Sequence, residues 1–133
     1  MSFKLDTKER FKVITLPSQV NSVDLTAKLT EMASSILTNS LQDPMQEPGN
    51  LVLSFKEVTE ISADAVESIS KLHLSFYENN RSFVCCEISS TIQKQFEAAD
   101  LWDVLNITPT QSEAWDIVQM EEIERELLGP DEE

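Results

Sequence analysis

The sequence predicts an α/β fold in which strands alternate with crossover helices. Three observations carry this. Short apolar runs of strand length recur along the chain, as in Leu51-Val52-Leu53-Ser54-Phe55. Between them lie longer segments whose apolar residues fall three and four apart, the spacing of one helix face. Their order is strand, helix, strand, helix, strand, helix, which suits a sheet closed by helical connections. The 133 residues fit one domain around one core, and a hydrophobic content of 41% suffices to pack it.

Each element has its own signal. Residues 3–6 and 11–16 read as two strands around a turn at residues 7–9, and Pro17 ends the second. Asp24 is expected to open a helix whose inner stripe is Leu25, Leu29, Met32 and Ile36. A loop over residues 42–50 contains Pro44, Pro48 and Gly49. Residues 51–55 form a short buried strand. A helix over residues 65–77 turns Val66, Ile69, Leu72 and Phe76 inward, and Asn79-Asn80 stops it. Residues 82–88 form another strand, and residues 90–99 a helix with Ile92 and Phe96 inward. Residues 104–107 make a short edge strand. A last helix runs over residues 111–128 and ends at Gly129-Pro130. Residues 1–128 are thus expected to form a single domain and 129–133 an acidic tail. No period of roughly 20 to 50 residues recurs, so a repeat architecture is not indicated.

The charge narrows the partners. A formal net charge of −14 disfavours a nucleic-acid backbone and an anionic membrane surface. No apolar run approaches the ~20 residues of a membrane span, and the start Met1-Ser2-Phe3-Lys4 has no secretory h-region. Cys85 and Cys86 are adjacent and are the only cysteines; they cannot easily pair, which suggests a reducing compartment and the cytoplasm as the address. Between Glu113 and Glu133 nine acids stand against one base, Arg125. These suit a solvated helix face with a tail; a segment that docks on a basic partner or guards a binding face is the sharper reading.

Parts for catalysis are few. With only Gly49 and Gly129, neither a P-loop nor a dinucleotide fingerprint can be built. The single histidine, His73, lies among apolar residues of the second helix, a core or boundary position. One His and two adjacent Cys cannot assemble a zinc site without carboxylates. Cys85 and Cys86 should face opposite sides of their strand, and Trp102 and Trp115 should both pack near the C-terminal helix. A phospho-receiver domain would need an acidic pair after its first core strand to hold Mg²⁺; here that strand is followed by Pro17-Ser18-Gln19-Val20-Asn21. No enzyme activity, metal or cofactor is expected.

Three stretches, in order and spacing, carry a family resemblance: "NLVLSFKEVTEISADAVESI", "RSFVCCEISSTIQKQFEAADLWDVLNI" and "TPTQSEAW". From Phe3 to about Ile123 the chain resembles the STAS domains, the family of anti-sigma factor antagonists and of the cytoplasmic domains of sulfate transporters. The first stretch is similar to the family's buried strand and the D-S-S/T-G turn that opens its second helix. The second is similar to its next strand, helix and short edge strand, and the third to the start of its last helix. The resemblance implies a small mixed sheet of about four to five strands with helices mainly on one face.

The departures are informative. In antagonists of this family the turn carries a hydroxyl that a partner kinase phosphorylates; the unphosphorylated form binds its regulator and phosphorylation releases it. Matching that turn to Ser62-Ala63-Asp64-Ala65 puts Asp64 at the acceptor position, with Ala65 in place of the glycine. Ser62 keeps a hydroxyl but aligns with the family's aspartate. The aspartate of the family's N-terminal G-E-L-D loop corresponds to Asn21. Asp64 could act only as a helix start, since a carboxylate in a first turn contributes about 0.3–1 kcal/mol and Glu67 follows it with capping-box spacing. It could also copy a phosphoserine in part, with one charge and two oxygens against about −1.5 to −2 and three.

The resemblance therefore implies a non-catalytic regulatory protein of a partner-switching system. Its partner would be an anti-sigma factor or another histidine-kinase-like regulator, bound at Ser62, Ala63, Asp64 and Ala65, at Glu67, Ser70 and Lys71, and at the loop around Asn21. Two other roles stay open: the soluble subunit of an ABC-type lipid transport complex, docked on its ATPase, and a small-ligand sensor. A homodimer is compatible with all three.

Overall fold

A computed structural model describes residues 3–43 and 48–128. The first strands, β1 (Lys4–Thr7) and β2 (Phe11–Thr15), form an antiparallel hairpin. A two-residue strand β3 (Gln19–Val20) leads into helix α1 (Val23–Gln42). Strand β4 (Asn50–Ser54), a second two-residue strand β5 (Glu60–Ile61) and helix α2 (Ala63–Glu78) follow. Then come β6 (Phe83–Cys86), α3 (Ser90–Ala98), β7 (Asn106–Thr108) and α4 (Gln111–Leu128). The main sheet is mixed and five-stranded, in the order β1-β2-β4-β6-β7. Only the β1–β2 pair is antiparallel; β2–β4, β4–β6 and β6–β7 are parallel.

The sheet is covered on both sides, three helices against one. Ile14, Leu53, Phe83 and Cys85 face α1, α2 and α3, where they meet Leu29, Ile36, Ile69, Phe76, Ile92 and Phe96. Phe11, Val13, Val52, Val84 and Cys86 face α4 and pack on Ala114 and Val118. Every residue of β4 is buried, which is why it reads as an unbroken apolar run rather than an alternating one. Cys85 and Cys86 fall in different clusters, as the two-residue period of a strand demands.

Helix α4 is held by polar contacts as well as by Ala114 and Val118. Tyr77 Oη donates to Glu121 Oε1 at 2.6 Å and Asn106 donates to Tyr77 Oη. Asn50 is 2% exposed. It donates to Glu122 Oε2 at 2.6 Å and to the Arg10 carbonyl at 3.0 Å, and accepts from the Ser82 amide at 2.8 Å and from Arg125. Arg10 pairs with Glu122 at 3.1 Å. Two acids of the helix therefore face inward as anchors, whereas Glu113, Asp116, Glu124 and Glu126 are exposed.

Several boundaries differ from the sequence expectation. Helix α1 opens at Val23 with Ser22 as its N-cap, the Ser22 hydroxyl accepting from the Leu25 amide at 3.1 Å, so Asp24 lies inside the first turn. Strand β6 stops at Cys86 because Glu87 turns to a φ of 60°. Asn80, at a φ of 61°, ends the second helix in the left-handed region that asparagine tolerates. The edge strand starts at Asn106, later than expected, and Pro109 follows it. Trp115 stacks on Phe11 at 5.0 Å beneath α4. Trp102 does not join it: it meets Phe96 edge-on at 6.4 Å on the opposite side of the sheet, because it follows α3 directly. The helix stop at Gly129-Pro130 and the tail 129–133 lie outside the described residues.

Candidate functional site

The turn 62–65 is built by two short parallel strands that lie apart from the main sheet. β3 pairs with β5, Val20 against Ile61. The ladder continues into the turn: the Ser62 amide donates to the Val20 carbonyl at 2.9 Å. The Thr59 amide and hydroxyl both donate to the Ser18 carbonyl, at 2.7 and 3.1 Å. These bonds bring the loop 18–21 beside the start of α2. Asn21 completes the junction by donating from Nδ2 to Glu60 Oε2 at 2.8 Å.

The start of α2 differs from the capping box expected on Asp64 and Glu67. Ser62 is the N-cap, with φ −88° and ψ 160°, and its hydroxyl oxygen accepts from the Ala65 amide at 3.2 Å. A serine hydroxyl in the extended N-cap position satisfies a helix-end amide directly. Asp64 is thereby the second residue of the helix. It keeps the favourable end of the dipole, but its carboxylate is free of the capping task. Ala63 and Asp64 are exposed. Ala65 is completely buried, so the position that is glycine in the resembled motif holds a methyl group packed inward.

The other expected surface residues are placed unequally. Glu67 and Lys71 are exposed and, at three and seven residues from Asp64, share its face of α2. Ser70 is half-buried and lies to the side of that face. Asn21 is exposed next to Glu60.

A groove of roughly 410 Å³ runs between α1 and α2 and reaches Asp64. Its α1 wall is Val23, Thr26, Ala27, Thr30, Glu31 and Ser34, and Ser68 joins Asp64 on the other. Val23 is 76% exposed at its mouth. None of this wall was expected from the sequence. Ser68, four residues after Asp64, is the one member that helix spacing could have indicated. Asp24, Glu31, Glu60, Asp64 and Glu67 are all exposed around the groove and turn, so the face carries a negative field.

The groups suited to chemistry lie elsewhere and are muted by burial. His73 sits further along α2, tilted against Tyr77 at 4.8 Å and edge-on to Phe83 at 5.8 Å. Its pKa is lowered by burial, with Glu121 opposing. Burial pushes the Cys86 thiol up to about 12 and raises Cys85 further. Among the described residues no group of three or more His, Cys, Asp or Glu side chains could hold a metal ion, and no helix is long and apolar enough to cross a membrane.

No protein-family model matches the chain and no curated protein matches its sequence. Solved structures do match. A Planctomyces limnophilus anti-sigma-factor antagonist (STAS) domain protein covers 88% of this chain and 97% of its own, with a TM-score of 0.63 at 14% identity. The fold is that of a STAS domain. A Thermotoga maritima protein described as an anti-sigma factor antagonist has the same STAS fold. It matches with a TM-score of 0.72 at 14% identity over 88% of this chain and 94% of that one. The anti-sigma factor antagonist SpoIIAA matches in its unphosphorylated form with a TM-score of 0.67 at 15% identity, over 89% of this chain and 98% of that one. The phosphorylated form of Bacillus SpoIIAA matches as well, with a TM-score of 0.65 at 15% identity, over 88% and 99%.

Proposed function

We propose that this chain is a non-catalytic regulatory module of a partner-switching system. It docks a protein partner on the turn 62–65, and Asp64 stands where antagonists of this type carry a phosphorylatable hydroxyl. The observation that carries the reading is the state of Asp64: exposed, in the first turn of α2, and relieved of capping by Ser62. A carboxylate so placed presents a fixed negative charge on a surface that a partner must desolvate to bind.

The surroundings support the same reading. The β3–β5 ladder sets the Asn21 loop against the turn, so two segments far apart in sequence present one face. Glu67 and Lys71 extend that face along α2, and the groove to α1 gives a partner side chain a place to enter. The fold is one for which a phosphorylated form has been solved in a different protein. The partner fitting this scheme is an anti-sigma factor or another histidine-kinase-like regulator, and the setting is the cytoplasm.

Purification of the tagged chain from its native host, with its partners identified, tests the proposal. Recovery of a histidine-kinase-like regulator whose binding depends on the turn supports it. Recovery of a transporter ATPase, or of a bound small molecule with no protein, contradicts it.

A further inference from the structure

Helix α4 has a second apolar face. Ala114 and Val118 point into the sheet and are fully buried. On the opposite side Met120, Ile123 and Leu127 are 60%, 54% and 78% exposed. Their spacing of three and four puts them in one line along the helix, about 10 Å long at ~1.5 Å per residue. The exposed large apolar residues described on the other helices stand singly: Val23 and Leu41 lie 18 residues apart at the two ends of α1, and Leu74 is on α2. The N-terminal continuation of the line is Asp116, one turn before Met120. Glu113 and Glu124 border it on one side and Glu126 on the other, all exposed. Arg125, the one base of the helix, is turned away and donates to Asn50 and Ser82.

We infer that this stripe is a docking face for a basic amphipathic helix of a partner protein. Three apolar side chains in a row, rimmed by carboxylates, match a helix with apolar residues three and four apart and lysine or arginine at its flanks. The charge selects this occupant over a second copy of the chain. Two such stripes packed together would bring Asp116, Glu124 and Glu126 of each copy toward the same acids of the other, and like charges brought together at an interface are costly. An anionic membrane surface is disfavoured by the same acids. The stripe lies on the face of the sheet opposite α1 and α2, so a partner here leaves the turn at Asp64 open. One chain could then hold two partners at once.

The test uses a fluorescein-labelled 18-residue peptide of leucine and lysine only, with leucines spaced three and four apart. A second peptide has the same composition in an order that presents no apolar face. Anisotropy titrations compare the native protein with an Ile123→Gln, Leu127→Gln double variant, whose fold is checked by thermal melting. The ordered peptide should bind the native protein at least about tenfold more tightly than the permuted one, and the double variant should lose that advantage. Asp64→Ala should leave it unchanged. Equal binding of both peptides would reduce the effect to bulk charge and overturn the inference, as would an unchanged affinity of a folded double variant. A native dimer in sedimentation that the double variant converts to monomer would overturn it too, by assigning the stripe to self-association.

Discussion

The Ser62 hydroxyl oxygen accepts a hydrogen bond from the Ala65 amide at 3.2 Å. This bond separates the two roles that the turn could have merged: Ser62 closes the helix end and Asp64 is left to face solvent.

Ser62 should therefore behave as a cap and not as a modification site. Replacing Ser62 with alanine should cost about 0.5–2 kcal/mol of stability, measured from urea unfolding midpoints. Incubation of the native protein with a cognate kinase and ATP should leave the peptide containing residues 62–65 unmodified. Stoichiometric phosphate on Ser62 would contradict the assignment.

Asn50 should be the most sensitive polar position of the fold. It is buried and bonds to Ser82, Arg10, Glu122 and Arg125. Asn50→Ala strands a buried amide and loosens the contacts of Glu122 and Arg125, so the expected loss is about 2–3 kcal/mol. Amide exchange should accelerate in α4 more than in α1. A variant as stable as the native protein would show that the network is incidental.

The adjacent thiols offer a reading of which helix comes off first. Both should resist iodoacetamide in the native protein at mildly alkaline pH, since the thiolate is the reactive form and burial raises both pKa values. In Asn50→Ala, Cys86 should react before Cys85, because α4 covers the Cys86 face. The reverse order, read by peptide mass, would place the weak point on the α1–α3 side.

His73 gives the pH dependence a sign. Its pKa in the folded protein lies below the ordinary 6.5 because burial disfavours the charged ring, and Glu121 offsets this only in part. The unfolded chain therefore binds a proton that the folded chain resists. Stability should fall as pH drops through 6.5 toward the lower folded value. His73→Gln should flatten the slope of stability against pH in that window. An unchanged slope would mean that the ring stays solvated.

Much of this architecture was legible in the sequence because it rests on periodicity. The inward stripes of α1 and α2 and the split of Cys85 from Cys86 follow from spacings of 3.6 or 2, and the two-sided burial of β4 follows from its unbroken apolar run. The strands β3 and β5 were not legible: two residues carry no period, and the ladder exists only because tertiary packing places Val20 beside Ile61. The cap was misassigned because Asp64 and Glu67 imitate a capping box, while Ser62-Ala63-Asp64-Ala65 lacks the Glu or Gln that normally marks one. The α1 wall of the groove was invisible because its members, such as Thr26 and Thr30, become a site only when α2 lies against them. Trp102 was misplaced for a related reason: nearness in sequence to the last helix said nothing about which face of the sheet it would reach.

The most direct test of the central claim is the dissociation constant of three proteins for one regulator recovered from the native host: the native chain, Asp64→Ser and Asp64→Ala. A fixed charge that copies part of the phosphorylated state predicts weak binding by the native chain. Both substitutions should then tighten it by about tenfold or more, a change of roughly 1.4 kcal/mol, with melting temperatures close to native. Weaker binding by both variants at unchanged stability would contradict the account, since Asp64 would then be a contact that the partner requires.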